Sequence, residues 1–193
     1  MRRERGNINF LENKKNINAK YQESVEAKKL KKLIREQLNN PLDKIEAIIN
    51  SLVINNGIKL INATNLTMGD RAYNLQFSRF LTNEKFQPIC FVISLLAPYY
   101  YYYIIDISMN NPFVPNGYKW EKNNGRNKEF ELDTKFKEII NIVSKEIEAT
   151  LNYKKFPEKL IDKIIPDISY QNIEIGNFTY FNAFFLNEYY CLG

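Results

Sequence analysis

The first regular pattern along the chain is a run of apolar residues at three- and four-residue steps, from about residue 24 to residue 38. This spacing predicts an amphipathic helix with one apolar stripe. A second run begins at Pro41, which suits a first helical position, and ends before Gly57, which suits the left-handed residue past a helix terminus. Residues 134–151 repeat the same period. The pattern therefore predicts three amphipathic helices.

Between the second and third helices the period changes from 3.6 to 2, which indicates β-strands. Strands are predicted at residues 58–63, 71–81, 86–96 and 99–108. In residues 71–81, apolar and polar side chains alternate, which suggests a sheet with one covered face. After the third helix, a short helix is predicted at 157–164 and one or two final strands at 168–175 and 178–190. This order predicts an α+β fold, with helices packed on one face of a mostly antiparallel sheet of about five or six strands.

The chain of 193 residues fits one domain. Residues 1–17 lack an apolar period and are predicted to form a flexible basic arm, so residues 18–193 are expected to form the single α+β domain. Residues 109–130 hold no periodic element either. A loop of that length is usually functional or disordered, and the sequence leaves both interpretations open.

Charge is placed unevenly along the chain. The net charge is +5, yet the first 35 residues hold eleven basic and four acidic residues and therefore net +7. On the first predicted helix, the basic residues spread over the side opposite the apolar stripe, and they are Lys28, Lys29, Lys31, Lys32 and Arg35. Such a face suits a polyanion or an acidic protein surface, although an ordinary solvated helix face has the same composition.

Aromatic residues supply the second candidate surface. Five consecutive tyrosines begin at Tyr99, and alternation along a strand places two of them on one face with a nearby aspartate. If that face is uncovered, its amphipathic rings resemble a binding hot spot; if it is covered, they are core residues. The 109–130 loop adds the only tryptophan of the chain. The candidate partner-binding residues are Tyr100, Tyr102, Asp106, Tyr118 and Trp120.

Several residue types and motifs that common catalytic and metal sites use are missing from the sequence. No histidine is present, which excludes histidine-based triads and histidine-ligated zinc. No glycine-rich phosphate loop and no calcium-loop sequence appears among only seven glycines. We therefore expect no catalytic residues, no metal and no cofactor. The two cysteines, the absence of an apolar leader and the lack of a bilayer-length apolar run favour a cytoplasmic protein without a membrane span.

These observations predict a non-enzymatic interaction module that caps or inhibits another protein with an acidic patch. In size, composition and lack of catalytic residues it is similar to the small stand-alone immunity proteins of bacterial toxin systems. One alternative is a nucleic-acid-associated protein that uses residues 1–35. A second alternative is a histidine-free enzyme, which requires a pocket lined by carboxylates or tyrosines with displaced pKa values. The oligomeric state stays open.

Overall fold

The computed structural model describes residues 25–39, 43–82, 85–105, 107–108, 134–171 and 173–190. The three predicted amphipathic helices lie where the apolar period places them. Helix α1 spans Val25–Asn39, α2 spans Asp43–Asn50, and α3 spans Thr134–Leu151. A π-helical turn at Ser51–Asn55 continues α2, and Gly57 follows it with a φ of 63°, a left-handed conformation that glycine adopts without a steric penalty.

Six strands form one sheet within the described residues. They are β1 (Ile61–Asn62), β2 (Ala72–Thr82), β3 (Lys85–Ser94), β4 (Tyr99–Ile104), β5 (Ile107–Ser108) and β6 (Lys154–Lys155). The order is β1-β2-β3-β4-β6, with β5 also paired to β3. All pairs are antiparallel except β4 with β6, which is parallel. The predicted α+β class with a mostly antiparallel sheet is confirmed.

Helices α2 and α3 cover the first face of the sheet. The period of 2 places alternate residues of β2, β3 and β4 on this face, where they meet the apolar stripes of both helices. The buried side chains at the centre of this cluster are Leu75, Phe91 and Tyr100 from the sheet and Ile48, Val143 and Ile147 from the helices. This layer is the part of the core that the periodicity predicts.

The C-terminal segment, defined here as residues 156–190, covers the second face. Its rings pack on the other set of alternate strand residues, which includes Val92, Tyr101 and Tyr103. The predicted strands at 168–175 and 178–190 are wrong. In their place the structure has two isolated bridges, Ile164 with Thr179 and Tyr170 with Ile173, and the short helix α4 (Tyr180–Phe184).

A capping box explains why α4 begins at this point. The Thr179 hydroxyl accepts a hydrogen bond from the Asn182 backbone, and the Asn182 side chain accepts one from the Thr179 backbone at 2.9 Å. The helical spacing then brings Phe181 and Phe185 together, with ring centroids 5.8 Å apart, above the sheet. The polar residues Asn74 and Gln76 of β2 are also fully buried. The expected open face is therefore absent over the described central strands.

Candidate functional site

The cationic face of α1, formed by Lys28, Lys31, Lys32 and Arg35, is the first candidate site. These residues are exposed and line one surface depression of about 380 Å³. Their spacing of i, i+3, i+4 and i+7 places them within an arc of about 100° and over about 10 Å of helix. Lys29 is also exposed and lies at the margin of this arc. The structure thus brings together the predicted basic residues.

Within helix α1, little negative charge balances this face. Helix α1 contains five basic and two acidic residues. The Lys32 ammonium lies 3.7 Å from the Glu36 carboxylate, and both side chains are more than half exposed, at 78% and 53%. Exposed ion pairs of this kind contribute between about 0 and 1 kcal/mol because water screens them. The described part of the chain therefore leaves these cations available to a partner's acidic groups.

The predicted tyrosine anchors, in contrast, are buried or half-buried. Tyr100 is only 2% exposed, and its hydroxyl donates a hydrogen bond to Glu148 of α3 at 2.7 Å. Burial raises the pKa of Tyr100 to about 12. Tyr102 is half-buried on the same face, and the Lys155 ammonium lies 4.2 Å from the centre of its ring. The Tyr100 ring is covered because α3 packs on this face.

The other three predicted partner-binding residues, Asp106, Tyr118 and Trp120, lie outside the described residues. The same is true of the 109–130 loop and of the predicted arm at residues 1–17. Among the predicted aromatic anchors, the described structure thus brings together Tyr100 and Tyr102 alone. Their role in partner binding stays a prediction.

A second candidate site was not predicted from the sequence. It is a cleft of about 360 Å³ between the β1–β2 connection and the end of the C-terminal segment. We call it the polar cleft, and the polar residues that line it include Asn62, Asn65, Asp70, Asn187, Glu188 and Tyr190. Its polar groups are mainly carboxylates, amides and a phenol, so the cleft offers both hydrogen-bond donors and acceptors.

Asp70 is the buried carboxylate of the polar cleft, with 8% of its surface exposed. Its Oδ2 accepts hydrogen bonds from the Asn65 backbone at 3.0 Å and from the Tyr190 hydroxyl at 2.9 Å. Burial raises the pKa of Asp70 above its ordinary value, because the loss of hydration outweighs these hydrogen bonds and the charge of Arg71. The cleft therefore holds a carboxyl group with a perturbed pKa.

Tyr190 closes one side of the cleft. Its hydroxyl lies 2.9 Å from Asp70 Oδ2 and 3.2 Å from the Ala63 carbonyl oxygen, so it can donate to either acceptor. Burial raises the pKa of Tyr190 to about 12, and the adjacent Asp70 charge acts in the same direction. The phenol is therefore protonated at neutral pH and acts as a hydrogen-bond donor.

A fully buried arginine, Arg71, is joined to the cleft through the lining residue Asn187. The Arg71 guanidinium donates hydrogen bonds to the Gly69 carbonyl at 3.0 Å and to Asn187 Oδ1 at 2.7 Å. Its Cζ lies 5.0 Å from the centre of the Tyr170 ring. Gly69 has a φ of 101°, which favours glycine, and a Cβ there would overlap the Gln171 side chain. Arg71 thus ties the start of β2 to the C-terminal segment.

The sequence contains little signal for this cleft. Asn62 and Asn65 stand in Asn-x-Thr sequences, and Asp70 belongs to no motif. Its hydrogen-bond partner Tyr190 lies 120 positions away. Only the packing of the C-terminal segment brings the two residues together.

Comparison with known proteins identifies no relative, because no protein-family model, curated protein or solved structure matches this chain. None of the described helices is both long and apolar enough to cross a bilayer. Across the described ranges, no group of three or more His, Cys, Asp or Glu residues is placed to hold a metal ion.

The raised pKa of Asp70 predicts a pH dependence of stability. The folded carboxyl group holds its proton more tightly than the unfolded one, whose pKa is near 3.8. This contribution to the free energy of unfolding is fully present below that pKa and is lost as the pH rises through the raised value. Relative to Asp70→Asn, the wild-type protein should therefore lose stability over this window, measured by urea denaturation between about pH 3 and pH 7.

The exposed Asp167→Asn is the matched control, because it removes a carboxylate that lies outside the cleft and on the surface. A pH-dependent difference from wild type as large as that of Asp70→Asn would show that loss of any carboxylate produces the effect. A wild-type protein that gains stability relative to Asp70→Asn as the pH rises would contradict the expected direction.

Proposed function

We propose that the protein is a non-catalytic binding module that engages an acidic surface of a partner protein through the cationic face of α1. One observation carries the proposal: four exposed cations line a single depression on one side of the helix. On the opposite side, Ala27 and Leu30 are buried, at 4% and 3% exposure. This anchorage holds the cations in a fixed orientation toward solvent.

Exposed apolar residues beside the cations favour a protein partner over nucleic acid. Val25 is 76% exposed and Leu38 is 52% exposed, and helical spacing places them on the two flanks of the cationic face. Protein interfaces combine such apolar contacts with charged rims. Single-stranded nucleic-acid sites instead combine cations with stacking aromatics, and α1 has no aromatic residue.

In this proposal, charge complementarity steers the partner and orients it, and the apolar flanks add contact area. The proposed mode of action is that of an inhibitor of the toxin-immunity type, which caps its partner. Tyr102 and the residues of the 109–130 loop are expected to extend the interface.

The proposal predicts the effect of neutralising the cationic face. Lys28→Gln, Lys31→Gln and Lys32→Gln together should weaken binding to fluorescently labelled poly-L-glutamate about tenfold at low salt. Three exposed ion pairs contribute roughly 0.2–1 kcal/mol each, and 1.4 kcal/mol corresponds to a factor of ten. Fluorescence anisotropy measures the dissociation constant, and the difference should shrink at high salt because screening removes it.

The charge-matched control replaces three exposed lysines of α3, Lys135, Lys137 and Lys145, by glutamine. It lowers the net charge equally and should leave binding nearly unchanged. Equal weakening by both triple variants would show that net charge alone attracts the probe. Steeply salt-dependent binding to RNA or DNA, without binding to poly-L-glutamate, would favour the nucleic-acid alternative.

The histidine-free enzyme alternative has one observation in its favour, which is the cleft that pairs Asp70 with Tyr190, both with raised pKa values. Tyr190 suits hydrogen bonding better than proton abstraction, because a phenol with a pKa of about 12 is a weak acid and a poor source of phenolate at neutral pH. Binding therefore stays the leading proposal.

A further inference from the structure

The polar cleft is separate from the cationic face of α1, and its free hydrogen-bonding groups are of both kinds. Asn62 Oδ1 accepts hydrogen bonds from the Thr64 backbone and hydroxyl, at 3.2 and 2.6 Å, and Asn65 Oδ1 accepts one from the Thr67 hydroxyl at 2.9 Å. Their NH₂ groups are left as donors to a ligand. Both residues are exposed at the mouth of the cleft.

The acceptors of the cleft are carboxylates. Both hydrogen bonds that the described residues make to Asp70 end on Oδ2, so Oδ1 is the oxygen left to a ligand. Asp70 is more than nine-tenths buried, and the Tyr190 hydroxyl and the Asn65 backbone hold it in place. Glu188, which is exposed, supplies a second carboxylate at the rim. A fixed buried acceptor of this kind suits a ligand that donates a directed hydrogen bond.

The charge beside the cleft argues against a cationic ligand. The buried Arg71 guanidinium already acts on the Asp70 carboxylate and lies close to the cleft through its hydrogen bond to Asn187. A ligand cation at Asp70 would therefore also meet a nearby positive charge, which offsets part of its attraction to the carboxylate. An anionic ligand would meet Asp70 and Glu188 in the cleft. A neutral ligand avoids both repulsions.

We propose that the polar cleft binds a neutral polyhydroxy ligand of the sugar-ring class. In this arrangement one ring hydroxyl donates to Asp70 Oδ1, and neighbouring hydroxyls accept from the NH₂ groups of Asn62 and Asn65. Vicinal hydroxyls suit the cleft because each can donate and accept, which matches the mixed lining. The volume of about 360 Å³ falls within the range of small-molecule sites and accommodates a single pyranose ring.

Saturation-transfer NMR of the full chain with methyl α-D-glucopyranoside, methyl α-D-galactopyranoside and methyl α-D-mannopyranoside tests this proposal. At least one glycoside is expected to bind with a roughly millimolar dissociation constant, which is typical of a few hydrogen bonds in an open site. Tetrahydropyran-2-methanol, which lacks vicinal hydroxyls, and propylammonium, which is cationic, are the matched probes and should give no transfer.

Asp70→Asn keeps the shape of the side chain and exchanges the free acceptor for a donor, so it should weaken glycoside binding about tenfold or more. Asn65→Ala alters an exposed residue and should weaken binding severalfold, which keeps the test decisive if Asp70→Asn does not fold. The triple glutamine variant of α1 should bind the glycosides as wild type does. Because of that independence, failure of this proposal and failure of the α1 proposal are distinguishable.

Three results would overturn the sugar-ring assignment. The first is the absence of saturation transfer to every glycoside at about 50 mM, well above the expected dissociation constant. The second is glycoside binding that Asp70→Asn and Asn65→Ala leave unchanged. The third is binding of propylammonium in preference to the glycosides. The first two remove the polar cleft as the binding site, and the third makes it a cation site.

Discussion

Phe185→Ala is expected to lower the free energy of unfolding by about 3–5 kcal/mol, as is usual for loss of a fully buried phenylalanine. The Phe185 side chain is 0% exposed, and its ring centroid lies 5.8 to 6.4 Å from those of Phe181, Phe156 and Tyr101. Alanine would leave a cavity between the C-terminal segment and the sheet. Urea denaturation followed by far-ultraviolet circular dichroism measures the loss.

Two further variants calibrate this result. Phe185→Leu retains most of the apolar volume and should be clearly less destabilising than alanine. Ile175→Ala changes a residue of the same segment that is 48% exposed, and it should stay within about 0.5 kcal/mol of wild type. A loss below about 1 kcal/mol for Phe185→Ala would contradict the packing of this segment on the second face.

Arg71→Met is expected to lower the free energy of unfolding by about 3 kcal/mol, since each hydrogen bond from a charged group contributes roughly 1.5–3 kcal/mol and the abandoned acceptors lose their partner. The variant leaves the Gly69 carbonyl and Asn187 Oδ1 without the guanidinium that binds them at 3.0 and 2.7 Å. It also removes the positive charge that lowers the pKa of Asp70. Urea denaturation is the measurement, and Lys59→Met is the exposed control.

A double-mutant cycle with Asn187→Ala isolates the contact between the two side chains. If the hydrogen bond stabilises the fold, the double variant Arg71→Met/Asn187→Ala should lose less stability than the two single losses added together. Strict additivity would show that Arg71 acts through packing on Tyr170 and through Gly69, with no contribution from Asn187.

The helices and the central strands could be predicted from the sequence because their signals are local. Helix α3 spans Thr134–Leu151, the residues that the apolar period predicts. The alternation in residues 71–81 likewise predicted β2 to within one residue at each end. Such periods reflect which side of an element faces the core, so residues that are close in the sequence are enough to reveal them.

The C-terminal segment could not be predicted in the same way. Its aromatic residues have high strand propensity, which favoured the prediction of final strands. The capping box of Thr179 with Asn182 and the need to cover the second face of the sheet outweighed that propensity. Strand propensity measures fit to a pleated surface, and here the aromatic rings pack onto such a surface instead of forming part of it.

The two candidate sites also differ in whether the sequence predicts them. The cationic face of α1 follows from the sequence alone, because charge and helical period are both local properties. The polar cleft follows only from the tertiary structure, since Asp70 and Tyr190 are brought together across 120 positions by the packing of the C-terminal segment. Their raised pKa values arise from burial, and burial is a property of the folded chain that no local pattern contains.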